Sequence, residues 1–154
     1  FAYKNGKADS LPVKKQRPIK KNRYFHYFVI IKSHGLIMKK RDQSDIWKGL
    51  YDFPLIQTTG PASIDKLLHN HSWPDLFGDQ KPLITSTTKV FRHILTHQVI
   101  HAKFYLIYDQ KDQIHINESY FEIPFKKVVS IPVPLLIENF MKNTSNFYIF
   151  ANYN

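Results

Sequence analysis

A chain of 154 residues that is 43% hydrophobic and 15% aromatic has enough apolar material for one buried core, which excludes disorder throughout and fits a single domain. With no cysteine there is no disulfide, no thiolate nucleophile and no cysteine-ligated zinc, as a reducing compartment allows. The longest apolar run, YFHYFVII, is too short to span a bilayer and lies too deep for a signal peptide, so a cytoplasmic protein is expected.

The net charge of +10 is unevenly placed. Residues 1–23 carry Lys4, Lys7, Lys14, Lys15, Arg17, Lys20, Lys21 and Arg23 against Asp9 alone, with Pro12 and Pro18 discouraging a helix. This is an extended basic arm or linker. It either follows phosphates by counterion release or is a solvated tail. The body, 24–142, opens with RYFHYFVIIK and continues after Ser33-His34-Gly35 with LIMKK, a hairpin of two strands. RDQSDIWKGLYDFPLIQ reads as a loop and a short strand, its Trp47, Tyr51 and Phe53 filling the core. PASIDKLLHN, with Pro61 in a first-turn position and Ile64, Leu67 and Leu68 on one side, predicts a short amphipathic helix. Residues 71–82 read as loop, because Pro74, Gly78 and Pro82 punctuate them. Strands are expected near 84–92, 98–108 and 120–129. PVPLLIENFM then spaces Leu135, Leu136, Phe140 and Met141 helically, before a tail at 143–154. Strands dominate and helices number about two: an α+β domain on a mixed or antiparallel sheet.

One stretch raises a chemical question. FRHILTHQVIH places His93, His97 and His101 four apart, which on a helix presents imidazoles to one metal ion and on a strand lines one face. The composition of HQVIHAKFYLIY favours a strand, along which the three rings span too far for a single ion.

Several segments, in order, resemble the MutY-type adenine DNA glycosylases. KADSLPVKKQRPIKKNRYFHYFVI resembles the linker and first strand that follow the iron–sulfur cluster in that family. IWKGLYDFPLI resembles its tryptophan-glycine-leucine-tryptophan-x-phenylalanine-proline segment, with Tyr51 at the second tryptophan. FRHILTHQVIHAKFY resembles its histidine-threonine-phenylalanine-serine-histidine hairpin. The resemblance implies a carboxy-terminal domain of Nudix (MutT-like) fold that recognises 8-oxoguanine opposite adenine in duplex DNA. The partner domain implied is the parent's own upstream catalytic domain, which holds a [4Fe-4S] cluster. The fragment itself is expected to carry no cofactor, no metal and no catalytic residue, and to be a monomer. The implied setting is a bacterial cytoplasm, at the nucleoid, with no membrane partner.

By the same resemblance, Leu95, Thr96 and His97 form the loop that probes the oxidised base, Ile94 to Gln98 form a hairpin tip, and His93 orients the loop. Leu95 stands where the family has an aromatic residue, so an apolar wedge replaces a stacking ring. Lys14, Lys15, Arg17, Lys20, Lys21, Arg23 and Lys48 are the candidate phosphate contacts. Two rivals remain. A Nudix nucleotide pyrophosphohydrolase needs several glutamates on one helix for a divalent metal, whereas Glu118, Glu122 and Glu138 all come late and PASIDKLLHN offers only Asp65. A general basic nucleic-acid-binding module is the other.

Overall fold

The structure, a computed structural model, describes residues 19–144. Lys14, Lys15 and Arg17, and the tail from 145 onward, lie outside the described residues. Among those described, eight strands form one mixed sheet, with two short helices after the fourth strand and two after the eighth. The sheet is built on β1 (Lys21–Lys32) and β7 (Gln98–Asp109), which run parallel in continuous register from Lys21↔Gln98 to Lys32↔Asp109.

β1 is buried on both faces from Phe25 to Lys32, which is why it reads as an unbroken apolar run and not as an alternation. Its other edge pairs antiparallel with β2 (Gly35–Lys40) and β4 (Leu55–Thr58). The two-residue β3 (Tyr51–Asp52) and β8 (Phe121–Pro124) extend the sheet from β2, while β5 (Ser86–Thr87) and β6 (Phe91–Ile94) pair antiparallel with β7.

Helices cover both faces. Against one pack α1 (Ile64–Leu68) and α2 (Trp73–Phe77), over Phe28, Ile30, Tyr105 and Ile107. Against the other pack α3 (Phe125–Val128) and α4 (Leu135–Asn143), over Phe25, Tyr27, Val29 and Phe104. Phe104 and Phe140 stack at 3.9 Å, with Phe91 edge-on to both, so α4 is bonded to the root of the β6–β7 hairpin.

The α+β reading and the first hairpin hold, and the differences have local causes. Residues 71–82 are not all loop: Pro74 sits in the first turn of α2, where a missing N–H costs nothing, and Gly78 at φ 61° ends it. Trp73, Leu76 and Phe77 are that helix's buried face. The strand expected over 120–129 stops at Pro124 and turns into α3, whose Phe125 and Val128 point inward. The strand expected over 84–92 is two short ones. Pro61 precedes α1, which Ser63 caps by accepting from the Lys66 N–H. Phe53 is fully buried, whereas Trp47 and Tyr51 are half-buried against the core.

Candidate nucleic-acid interface

β6 and β7 form a hairpin whose last pair is Ile94↔Val99, and the Leu95 N–H donates to the Gln98 carbonyl at 2.8 Å to close the tip. Thr96 and His97 are exposed at that tip, as the sequence reading places them. Leu95 is half-buried and packs on the core below, so it anchors the tip from inside. Ile94, which the sequence reading did not single out as a contact, is 62% exposed and supplies the tip's outward apolar surface.

The chain reversal also settles the histidines. His93 lies opposite buried Ile100 and therefore faces inward, while His101 lies opposite Arg92 and faces outward. The even spacing does not place the three on one face, because the turn at 95–98 resets the alternation. Among the described residues no group of three or more His, Asp or Glu side chains is placed to hold a metal ion.

The inward face is tightly tied. His93 meets the edge of Trp47 at 5.9 Å, and Trp47 in turn meets Phe25 edge-on at 5.9 Å. Trp47 sits at φ 61°, a left-handed conformation that a bulky side chain adopts only when its surroundings hold it. What holds it is a charged lattice. Arg23 grips both oxygens of Asp45 at 3.0 and 2.9 Å and also donates to Gln98 and Gln57. Arg41 donates to Asp52 at 2.8 Å, to Asp45 at 3.2 Å and to the carbonyl of Ile46. The Arg23 hydrogen bond, chiefly, holds the Asp45 carboxyl below its ordinary range. Arg23, a candidate phosphate contact from sequence, is thus already engaged within the protein.

The last residues of the basic segment reach the tip directly. The Lys21 N–H donates to the His97 carbonyl at 3.0 Å, and Lys20 and Lys21 are exposed beside it. Lys48 is exposed on the turn next to Trp47.

The outward face is different in kind. Tyr24 and His101 stack at 4.6 Å with planes 13° apart, and Asn22 bonds the His101 Nε2 at 2.9 Å. Burial first, then the Arg92 charge, lowers the His101 pKa, so its ring is neutral. Beside this pair a cavity of about 310 Å³ is lined by Tyr24, His26, Pro61, Val90, His101 and Lys103, among others.

The profile of the NUDIX domain family matches residues 26–143. The chain belongs to the NUDIX domain family. Similar solved structures include the C-terminal domain of mouse MUTYH, in its complex with human PCNA, at 16% identity and TM-score 0.59 over 82% of this chain and 86% of that one. The MutT protein of Methanosarcina mazei Go1 gives 15% identity and TM-score 0.59 over 88% and 96%, and the Escherichia coli ORF135 protein 14% and 0.56 over 80% and 91%. No curated protein matches the sequence.

The divalent metal of Nudix hydrolases does not fit this NUDIX domain. Its α1 is five residues long and carries one acid, exposed Asp65. Glu118, Glu122 and Glu138 are exposed on other parts of the chain. One carboxylate falls short of the several oxygen ligands such an ion takes. Among the described residues, no helix is long and apolar enough to cross a membrane.

Proposed function

We propose that this NUDIX domain is the lesion-recognition domain of a MutY-type adenine DNA glycosylase and reads 8-oxoguanine opposite adenine in duplex DNA. The observation that carries the reading is the hairpin tip: Thr96 and His97 are exposed on a rigid mount, with the basic segment hydrogen-bonded to it through Lys21. 8-Oxoguanine differs from guanine by a hydrogen on N7 and a carbonyl at C8, where guanine has a bare acceptor at N7. A hydroxyl both accepts and donates, so Thr96 accepts from N7–H and donates to the C8 oxygen. His97 donates to phosphate or to a groove-facing group, Leu95 supports the tip from below, and His93 fixes the loop against Trp47.

The domain is non-catalytic by itself in this reading. The parent hydrolyses the N-glycosidic bond of a flipped adenine, using an upstream domain and its [4Fe-4S] cluster. A pyrophosphohydrolase reading draws on the fold shared with MutT, but α1 lacks the acids that chemistry needs.

The test is an NMR titration of the labelled chain with duplexes differing only in 8-oxoguanine against guanine opposite adenine, at moderate salt. The lesion alone is expected to shift Leu95 to His97. Thr96→Ala is expected to cut the preference about tenfold, the worth of ~1.4 kcal/mol of hydrogen bonding. Equal shifts with both duplexes would overturn the reading.

A further inference from the structure

The hairpin has two faces, and they differ in whether their arginines are already neutralised. On the inward face Arg23 and Arg41 are held by Asp45 and Asp52. On the outward face Arg92 and Lys103 have no carboxylate partner among the described residues. The cavity beside them has no acidic lining residue. Beside them lies the Tyr24–His101 stack, a half-buried aromatic shelf: Arg92 is across from His101 on β6, and Lys103 is two residues along β7 from it.

We propose that this outward face carries the phosphodiester backbone of the DNA flanking the base read at the tip, with Arg92 and Lys103 as phosphate contacts and the Tyr24–His101 shelf packing against the sugars. The proposal rests on the lesion-reading function of the tip and adds the path of the strand.

Charge and dimension both favour DNA as the occupant. Two unneutralised cations stand beside a flat aromatic shelf, a combination that suits a repeating anion along a strand. Lys103 lies five residues beyond Gln98 on β7. At ~3.4 Å per residue that is about 17 Å from the tip, the axial length of about five base pairs. The contacts therefore fall within one half-turn of duplex on one side of the lesion.

The experiment measures affinity against salt for the 154-residue chain on 8-oxoguanine:adenine and guanine:adenine duplexes. It compares the parent sequence with Arg92→Gln/Lys103→Gln and with Lys126→Gln/Lys127→Gln on α3. Loss of two phosphate contacts lowers the slope of log affinity on log salt by about 1.8, so the fall between ~50 and ~200 mM salt shrinks about tenfold. The ratio between the two duplexes stays unchanged, because phosphate contacts carry no base information. The α3 variant is expected to leave the slope as it was. A second arm shortens the duplex to about two base pairs on either side of the lesion in turn; one side only is expected to lose the Arg92/Lys103 contribution.

An unchanged slope in the Arg92/Lys103 variant, or an equal fall in the α3 variant, overturns the proposal and leaves the face to an acidic protein partner. Loss of slope without any lesion preference in the unmodified chain overturns the tip's function and leaves the strand path standing. No binding to either duplex overturns both.

Discussion

The buried imidazole of His26 makes a sharp prediction about stability and pH. His26 is 4% exposed, its Nδ1 lies 3.0 Å from the Tyr105 hydroxyl and its Nε2 lies 2.9 Å from the Thr58 hydroxyl. Thr58 donates its own proton to the Gly60 carbonyl at 2.6 Å, so Nε2 must be the donor to Thr58 and Nδ1 the acceptor from Tyr105. This arrangement suits the neutral ring. Burial, with Lys103 second, lowers the pKa from 6.5 to about 4. At ~1.4 kcal/mol for each tenfold change in proton affinity, that is about 3 kcal/mol; the ring borders an open cavity, and screening there leaves about 2 kcal/mol. Because the folded value lies below the unfolded one, this stability is fully present above pH 6.5 and is lost as pH falls toward 4. Asp45, lowered chiefly by the Arg23 hydrogen bond, titrates at still lower pH. So does Asp109, lowered by Lys32 and backbone N–H groups against its burial. His101 shifts in the same direction as His26, so the comparison needs His26→Gln. Urea unfolding at steps from pH 7.5 to 4.5 should show the unmodified chain losing about 2 kcal/mol more than the variant. Parallel losses in the two would mean that His26 does not set the pH dependence.

Lys32 is buried at the end of β1 with its ammonium on Asp109 at 2.6 Å, Asp112 at 2.8 Å and the Ile114 carbonyl at 2.9 Å. Lys32→Met should cost about 3 kcal/mol, the lower end for breaking a buried pair, since Asp109 keeps the Gln113 and Ile114 N–H groups. Adding Asp109→Asn should recover part of it; a cost under ~1 kcal/mol in urea would mean the pair is hydrated. A Cβ on Gly35 would overlap the Ile123 carbonyl of the paired strand β8, so Gly35→Ala should destabilise by about 2 kcal/mol and speed amide exchange along 121–124. Thr96→Ala, at an exposed tip, should leave the melting temperature within about 1–2 °C of the unmodified chain while changing lesion preference.

What could be read in advance depended on the range of the signal. Strand β1, the first hairpin and α4 are written in local periodicity, and composition alone places them. Proline and glycine misled at α2 because the same residues that break a helix also begin and end one; Trp73, Leu76 and Phe77 at helical spacing were the counter-signal. The Lys32–Asp109 pair links residues 77 apart, and only the parallel register of β1 with β7 brings them together. A lysine closing one apolar run and an aspartate closing another were its trace in the sequence. The commitment of Arg23 to Asp45 left no such trace, because the turn that carries Asp45 is irregular. At the tip the location of Thr96 and His97 was legible. The inward turn of Leu95 and the outward turn of Ile94 followed only from the hairpin register.

In the proposed lesion-reading function, the placement of the acids is what would let a Nudix sheet act as a mount for the hairpin tip. In a metal-dependent member, acids on the helix after β4 would face a nucleotide; here that helix is short and carries only Asp65. Asp45 and Asp52 instead lock Arg23 and Arg41 behind the hairpin and hold the strained Trp47 turn against His93. Phe91, Phe104 and Phe140 tie its root to α4. Under that proposal a tip fixed at both points would lose little conformational freedom on meeting a base, so each hydrogen bond from Thr96 would count toward discrimination and would not be offset by ordering the loop. Two hydrogen bonds distinguish a base but cannot hold a duplex, and affinity has to come from phosphates. Cations already neutralised behind the hairpin are unsuited to that. Under the same proposal, Arg92 and Lys103 beside the Tyr24–His101 shelf, and exposed Lys20 and Lys21 next to the tip, would supply it.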